Sequence, residues 1–211
     1  MMKKGKGVGI LSIVILLLAT SAFAQTVNVK DVKGAPGATV TTQLECTDGG
    51  DMSGINFTIT YDPAILTNPQ VSLGDLADGF TLDQNVPTAG ELRAVIYPPS
   101  APVENFKDQA GAIANIAFTV ANDATECAST NLTLADGSEP EKMGVSDKTG
   151  VSTTGNYTLQ SGTFEVTMAG DFNGDGNVNI FDYGMLAAGW GTTYNIFDYG
   201  KLAANWGKTC N

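Results

Sequence analysis

From residue 26 to 167 the chain is built of short runs in which apolar and polar positions alternate, broken by Gly, Pro, Asn and Asp. That is the signature of antiparallel strands with one buried face. In residues 38–44, Val40, Thr42 and Leu44 share a side. In residues 54–61, Ile55, Phe57, Ile59 and Tyr61 form an inward set, which leaves Asn56, Thr58 and Thr60 on the opposite face. Further runs cover residues 91–97, 111–120, 131–134 and 162–167. No stretch here keeps a helical period over three turns. Seven or more short strands without βαβ alternation predict a mainly β, two-sheet sandwich with a core of its own.

The period changes after Met168. Residues 179–191, Asn-Ile-Phe-Asp-Tyr-Gly-Met-Leu-Ala-Ala-Gly-Trp-Gly, recur as Asn-Ile-Phe-Asp-Tyr-Gly-Lys-Leu-Ala-Ala-Asn-Trp-Gly at 195–207. Apolar residues fall at i, i+3, i+4 and i+7, namely Tyr183, Leu186, Ala187, Trp190 and then Tyr199, Leu202, Ala203, Trp206. This spacing predicts two short helices, stopped by Gly191 and Gly207, that share a small core holding both tryptophans. The chain thus divides into a sandwich over residues 26–168 and a small module over 170–211. The connection Met168-Ala169-Gly170 reaches only about 10 Å when extended, too short for the module to swing onto a face of its own sandwich.

Before residue 25, Lys3, Lys4 and Lys6 precede an apolar run from Val8 to Leu18 that ends in Ala22-Phe23-Ala24. This is the pattern of a secretory signal peptide over residues 1–24, and the run is too short for a membrane span. Cleavage leaves 8 basic and 22 acidic residues, a net charge of −14, which excludes nucleic-acid binding by phosphate neutralisation. The chain has no histidine, so Ser-His-Asp triads, Cys-His dyads and the usual zinc sites are excluded. Export places the three cysteines Cys46, Cys127 and Cys210 in an oxidising compartment, where one disulfide with one thiol left over is expected.

The strongest chemical signal is Asp171-Phe-Asn-Gly-Asp-Gly-Asn-Val-Asn-Ile-Phe-Asp182. Asp171, Asn173 and Asp175 stand at positions 1, 3 and 5 of a twelve-residue calcium loop, Gly176 at the sharp turn of position 6, and Asp182 at position 12. Asn177 would turn its carbonyl inward, and Asn179 would ligate directly or through water. An all-oxygen set of this kind suits Ca²⁺ better than a softer or more demanding cation. The second copy keeps Asn195 and Asp198 but has only Thr192-Thr-Tyr194 before them, too few ligands for a second ion. One ion is expected.

Two families resemble these segments. The loop Asp-x-Asn-x-Asp-Gly-x-Val-Asn-x-x-Asp leading into Leu-Ala-Ala-x-Trp-Gly, partly duplicated over residues 170–207, resembles a dockerin with a truncated second repeat. Residues 27–34, 37–41, 55–63 with Ile65-Leu66, and 111–120 resemble a cohesin of polysaccharide-degrading multi-enzyme complexes. The cohesin resemblance implies a nine-stranded jelly-roll sandwich that binds a dockerin, with Asn56 on the outward face used for contact. It also implies that the strands beside Cys46 and Cys127 are antiparallel neighbours, and hence a Cys46–Cys127 disulfide with Cys210 unpaired; two buried free thiols are the competing reading. The dockerin resemblance implies an EF-hand-like helical module whose partner-reading residues map to Ile180, Phe181, Ala187 and Ala188, and in the repeat to Ile196, Phe197, Ala203 and Ala204. Helix packing is the competing role for these.

Three functions follow. The first is a secreted, extracellular, non-catalytic adaptor that joins other secreted proteins carrying cohesin or dockerin modules. The second is a polysaccharide-binding protein tethered through its dockerin, for which Tyr97, Phe106 and Tyr157 are the candidate aromatic strip. The third, a glycoside hydrolase, lacks any catalytic motif.

Overall fold

A computed structural model describes residues 25–99, 103–135 and 143–210. The export signal expected at residues 1–24 lies outside the described residues. Among the described residues, twelve strands form two sheets. The first sheet, in the order β11-β1-β3-β8-β5, joins β1 (Gln25–Val29), β3 (Thr39–Cys46), β5 (Leu66–Leu73), β8 (Gly111–Val120) and β11 (Tyr157–Gln160). The second, in the order β2-β12-β9-β4-β7-β6, joins β2 (Val32–Gly34), β4 (Gly54–Thr60), β6 (Thr81–Thr88), β7 (Glu91–Tyr97), β9 (Ser129–Leu134) and β12 (Gly162–Val166). Strand β10 (Gly144–Ser146) also pairs with β4. The sheets hold twelve strands where nine were expected, and three of the twelve have fewer than five residues. These three, β2, β10 and β11, are too short to display an alternation.

The alternating sets fill the space between the sheets. Ile55, Phe57, Ile59 and Tyr61 are buried, as are Val40, Thr42 and Leu44. The Tyr61 ring meets Phe118 of β8 edge-on with centroids 5.1 Å apart, linking the two sheets. Thr42 buries its hydroxyl by donating it to the Lys30 carbonyl at 2.6 Å. Thr58, expected on the outward face, is also buried. It stands in register with Arg93 and is flanked by Ala135, whose N–H donates to its carbonyl.

The tail forms helices α1 (Ile180–Ala188) and α2 (Ile196–Asn205). Their shared core is smaller than the sequence pattern suggested. Only Leu186 and Leu202 bury their side chains from the two stripes, and they pack with Val178 and Met168 rather than with the tryptophans. Trp190 and Trp206 remain about half exposed, which corrects their expected place in a two-helix core. The reason is that the apolar contacts of the tail run towards the calcium-type loop and the connecting segment, and onto Cys127 at the end of the sandwich. Gly170 permits this close approach. A side chain there would meet the Leu202 Cα at 2.6 Å, and the residue holds φ +93°.

The expected Cys46–Cys127 disulfide is not formed. Cys127 is bonded to Cys210, and Cys46 is a buried free thiol. The strands beside the two cysteines are not neighbours, as the cohesin resemblance implied, because β3 lies in the first sheet and β9 in the second. Cys46 ends β3 and stands opposite Gly111, the first residue of β8, whereas Cys127 follows the far end of that ten-residue strand. The two cysteines are therefore separated by roughly 30 Å of strand at about 3.3 Å per residue, beyond the reach of any disulfide. The bond that does form spans 83 residues and ties the tail to the sandwich. On the chain-entropy model it stabilises the fold by about 4.5 kcal/mol.

Burial pushes the Cys46 thiol up to about 11 from 9.0. An unfolded thiol releases its proton near 9 while the folded one holds it to about 11, so the folded state loses stability as pH rises across that window. Non-reducing peptide mapping should recover a Cys127–Cys210 peptide. Cys46 should alkylate only after denaturation, and Cys46→Ala should make alkaline denaturation between these pH values shallower.

Candidate functional site

Two surfaces carry the candidate residues. The first is the outward side of β4, β7 and β6. Register places Asn56 beside Val95 and Val95 beside Asp83 in one row, and Thr58, Arg93 and Asn85 in the next. The inward partners Leu92, Ala94 and Ile96 are buried, so Arg93, Val95 and Tyr97 face out by strand alternation. Tyr97 donates its phenol proton to Asp83 Oδ2 at 3.0 Å, and that bond to a carboxylate raises the phenol above its usual range. Asn56 lies across Gly144, where a Cβ would sit 2.3 Å from Asn56 Oδ1. The surface is a shallow apolar strip of Val95 and Tyr97 rimmed by Asn56, Asp83, Asn85 and Arg93, with hollows on either side of Asn56.

The second surface is the tail loop and its helices. Asp171 accepts from the N–H groups of Gly174 at 2.8 Å and Gly176 at 2.9 Å, which folds the loop tightly around its first carboxylate. Gly176 adopts φ +82°, the left-handed turn expected at position 6. Asp175 accepts from Asn177 N–H at 2.8 Å and from Asn173 Nδ2 at 3.0 Å; these bonds, the backbone one foremost, hold its carboxyl below the usual range. Asp182 is fully buried. One of its oxygens accepts from Phe172 and Asn173 and the other from Asn179, so it ties both ends of the loop together. Asn179 caps α1 by accepting from Phe181 N–H, and with Asp182 it completes a capping box.

The donor set, three carboxylates and three amides with a left-handed glycine at the turn, fits a hard cation in chemistry and chain path. The loop does not gather its carboxylates at one point: among the described residues no three Asp, Glu, Cys or His side chains are clustered for a metal. They are turned instead to backbone N–H groups of the loop. In the second copy, Asn195 and Asp198 form a capping box for α2, and Asp198 also pairs with Lys201 at 3.2 Å. The bonding of Asp182 to three backbone groups was not visible in the sequence beyond its Asn-x-x-Asp spacing, which is itself a capping-box signal.

The residues mapped as partner-reading are on the surface. Ile180 is 62% exposed, Phe181 70%, Ile196 61% and Phe197 79%, so helix packing is not their role. Ala187, Ala188, Ala203 and Ala204 are also exposed. Between the helices, Tyr183, Tyr199 and Trp206 line a hollow floored by Leu202 and Ala203. Of the aromatics considered for sugar stacking, Phe106 and Tyr157 are buried and only Tyr97 reaches solvent.

Comparison with known proteins decides the nature of the sandwich, because the family model for the cohesin domain matches residues 25–166. The chain belongs to the cohesin domain family. Solved structures share its fold. A third cohesin of Acetivibrio cellulolyticus ScaC, solved with the ScaB dockerin, is 20% identical with a TM-score of 0.57 and covers 68% of this chain and 99% of its own. A Clostridium thermocellum chain from the Coh-OlpA–Doc918 complex is 15% identical with a TM-score of 0.58, covering 68% and 99%. A non-cellulosomal cohesin from the archaeon Archaeoglobus fulgidus is 16% identical with a TM-score of 0.53, covering 69% and 92%. No curated protein matches the chain. The cohesin match covers the strands of both sheets and ends at residue 166.

The tail hydrogen bonds give a contrast between two equivalent acids. Asp182→Ala leaves three backbone N–H groups without their acceptor and should destabilise the tail by about 3 kcal/mol. Asp198→Ala removes one exposed cap and should cost about 1 kcal/mol. Hydrogen exchange of residues 170–210 in chelator checks the difference; equal effects would contradict the unequal roles.

Proposed function

We propose that the protein is an exported, non-catalytic adaptor that binds a dockerin-bearing protein through its cohesin domain and presents its own dockerin-like, calcium-binding tail to a second partner. The observation that carries the reading is the family match over residues 25–166, coupled with a shallow, mixed apolar and polar strip around Asn56 on the outward sheet. Cohesins of similar fold have been solved in complex with dockerins. An apolar strip with a polar rim suits a protein partner, since the centre excludes water while the rim sets register.

Dockerin character in the tail is supported by the duplicated Asn-Ile-Phe-Asp-Tyr-Gly unit and by the exposure of Ile180, Phe181, Ile196 and Phe197, which leaves a hydrophobic patch on a small module. Asp171, Asn173, Asp175, Asn177, Asn179 and Asp182 would hold one Ca²⁺, whose charge would draw the loop carboxylates together. The burial of Phe106 and Tyr157 weighs against polysaccharide binding, because of the three candidate aromatics only Tyr97 reaches solvent among the described residues. Export rests on the signal pattern of residues 1–24, and no helix among the described residues is long and apolar enough to cross a membrane.

Two experiments test the reading. Calorimetric titration should find one calcium per chain, lost in Asp171→Ala and little changed in Asp198→Ala; two sites or none would overturn it. Pull-down against dockerin-bearing exported proteins should succeed with the isolated cohesin domain and weaken at least tenfold in Val95→Asp, which places a charge at the centre of the strip. Undiminished capture by Val95→Asp would move the contact to another face.

A further inference from the structure

The second copy of the repeat has lost the first half of its loop, yet the first loop is not left open on that side. The last residues of the chain run back antiparallel along it. Gly207 N–H donates to the Val178 carbonyl at 2.8 Å, Val178 N–H to the Lys208 carbonyl at 3.0 Å, and Cys210 N–H to the Gly176 carbonyl at 2.8 Å, while Asn177 faces Thr209 in a bridge. These contacts fall on loop positions 6 to 8, the turn that directs the ligands. Both ends of this strap are fixed. Cys210 is bonded to Cys127 of the sandwich. At its start, Asn205 donates through Nδ2 to the Ala169 carbonyl at 2.7 Å and accepts from Lys208 Nζ at 2.7 Å, and Ala169 N–H donates to Glu126 of the sandwich at 2.8 Å.

We propose that this strap, closed covalently by Cys127–Cys210, takes the structural place of a second ion loop: it preorganises the first loop for calcium by pinning its turn to the sandwich. The inference rests on the calcium reading of that loop. Its physical basis is that a loop whose backbone path is held before binding loses less conformational entropy when the ion arrives, leaving only the carboxylates to turn from the loop N–H groups towards it. Cutting the strap would release residues 207–210 from positions 6 to 8 and leave the turn to be ordered by the ion alone. The tail would then depend on calcium for its fold, whereas the strapped tail keeps its fold without it.

The paired variant Cys127→Ser, Cys210→Ser tests this without leaving a thiol to mispair with Cys46. The sandwich is followed by far-ultraviolet circular dichroism and the tail by tryptophan fluorescence, since Trp190 and Trp206 are the two tryptophans of the chain. The variant should bind calcium about tenfold or more weakly than the oxidised wild type. In chelator its tail should be cut by protease while the wild-type tail resists. Asn205→Ala, which loosens the strap but keeps the disulfide, should give an intermediate affinity. Equal calcium affinities, or equal protease resistance in chelator, would overturn the strap while leaving the calcium site in place. A wild-type chain that takes up no calcium would instead overturn the calcium reading and the inference with it.

Discussion

The placement of the tail depends on its anchorage to the sandwich. Helices of nine and ten residues are marginal alone in water, and here each contributes a single buried leucine to their shared core. What orders them lies outside the helices: Met168 from the connecting segment, Val178 from the loop, Cys127 from the sandwich, and the bond from Cys127 to Cys210. The tail therefore folds as an extension of the cohesin domain. That also explains why Trp190 and Trp206 are free to face solvent, since the anchor supplies the burial that a tryptophan pair would otherwise supply.

Most strands with one face buried and the other wet were legible, although β5, whose buried and exposed positions also alternate, was not among the runs read as strands. Residues 91–97 and 111–120 read as strands from alternation alone and are β7 and β8 with those limits. Strand β6 was invisible because Thr81-Leu-Asp-Gln-Asn-Val-Pro-Thr88 lies on an edge with almost no buried side chain, and it contains a proline that argues against a central strand. The disulfide was misread for a different reason. The pairing followed from the cohesin resemblance, which made the strands beside Cys46 and Cys127 neighbours, whereas β3 and β9 stand in different sheets. The pairing of the chain terminus with the loop was equally hidden, since three short backbone hydrogen bonds leave no mark on residue type.

The candidate sites divide along the same line. The spacing of Asp171, Asn173, Asp175 and Asp182 resembles that of a calcium loop, and Gly176 takes the left-handed turn that such a loop has at position 6. The role of Asp182 in holding three backbone N–H groups was not readable, because a capping acid and a ligand acid have the same spacing. The two roles are compatible. A carboxylate has about four lone-pair sites, so one that accepts three N–H groups still carries the negative charge that a cation would meet. The truncated copy separates them: Asn195 and Asp198 keep the cap and have no loop in front of them.

The geometry of the anchor bears on how such a chain would assemble. The strip around Asn56 lies on the face of the second sheet, while the tail is held at the end where β12 leaves the sandwich and Cys127 precedes β9. With only residues 168–170 between them, and with Ala169 itself bonded to Glu126, the tail cannot reach that strip in its own chain. Contacts of the proposed kind must join different chains. A flexible linker would let two bound partners sample many relative orientations, but a disulfide together with a buried contact at Met168 removes that freedom. An adaptor built this way would set the angle between its partners as well as bring them together, and a head-to-tail contact between copies of the chain would repeat that angle at every step, closing into a ring or extending as a helix according to its value.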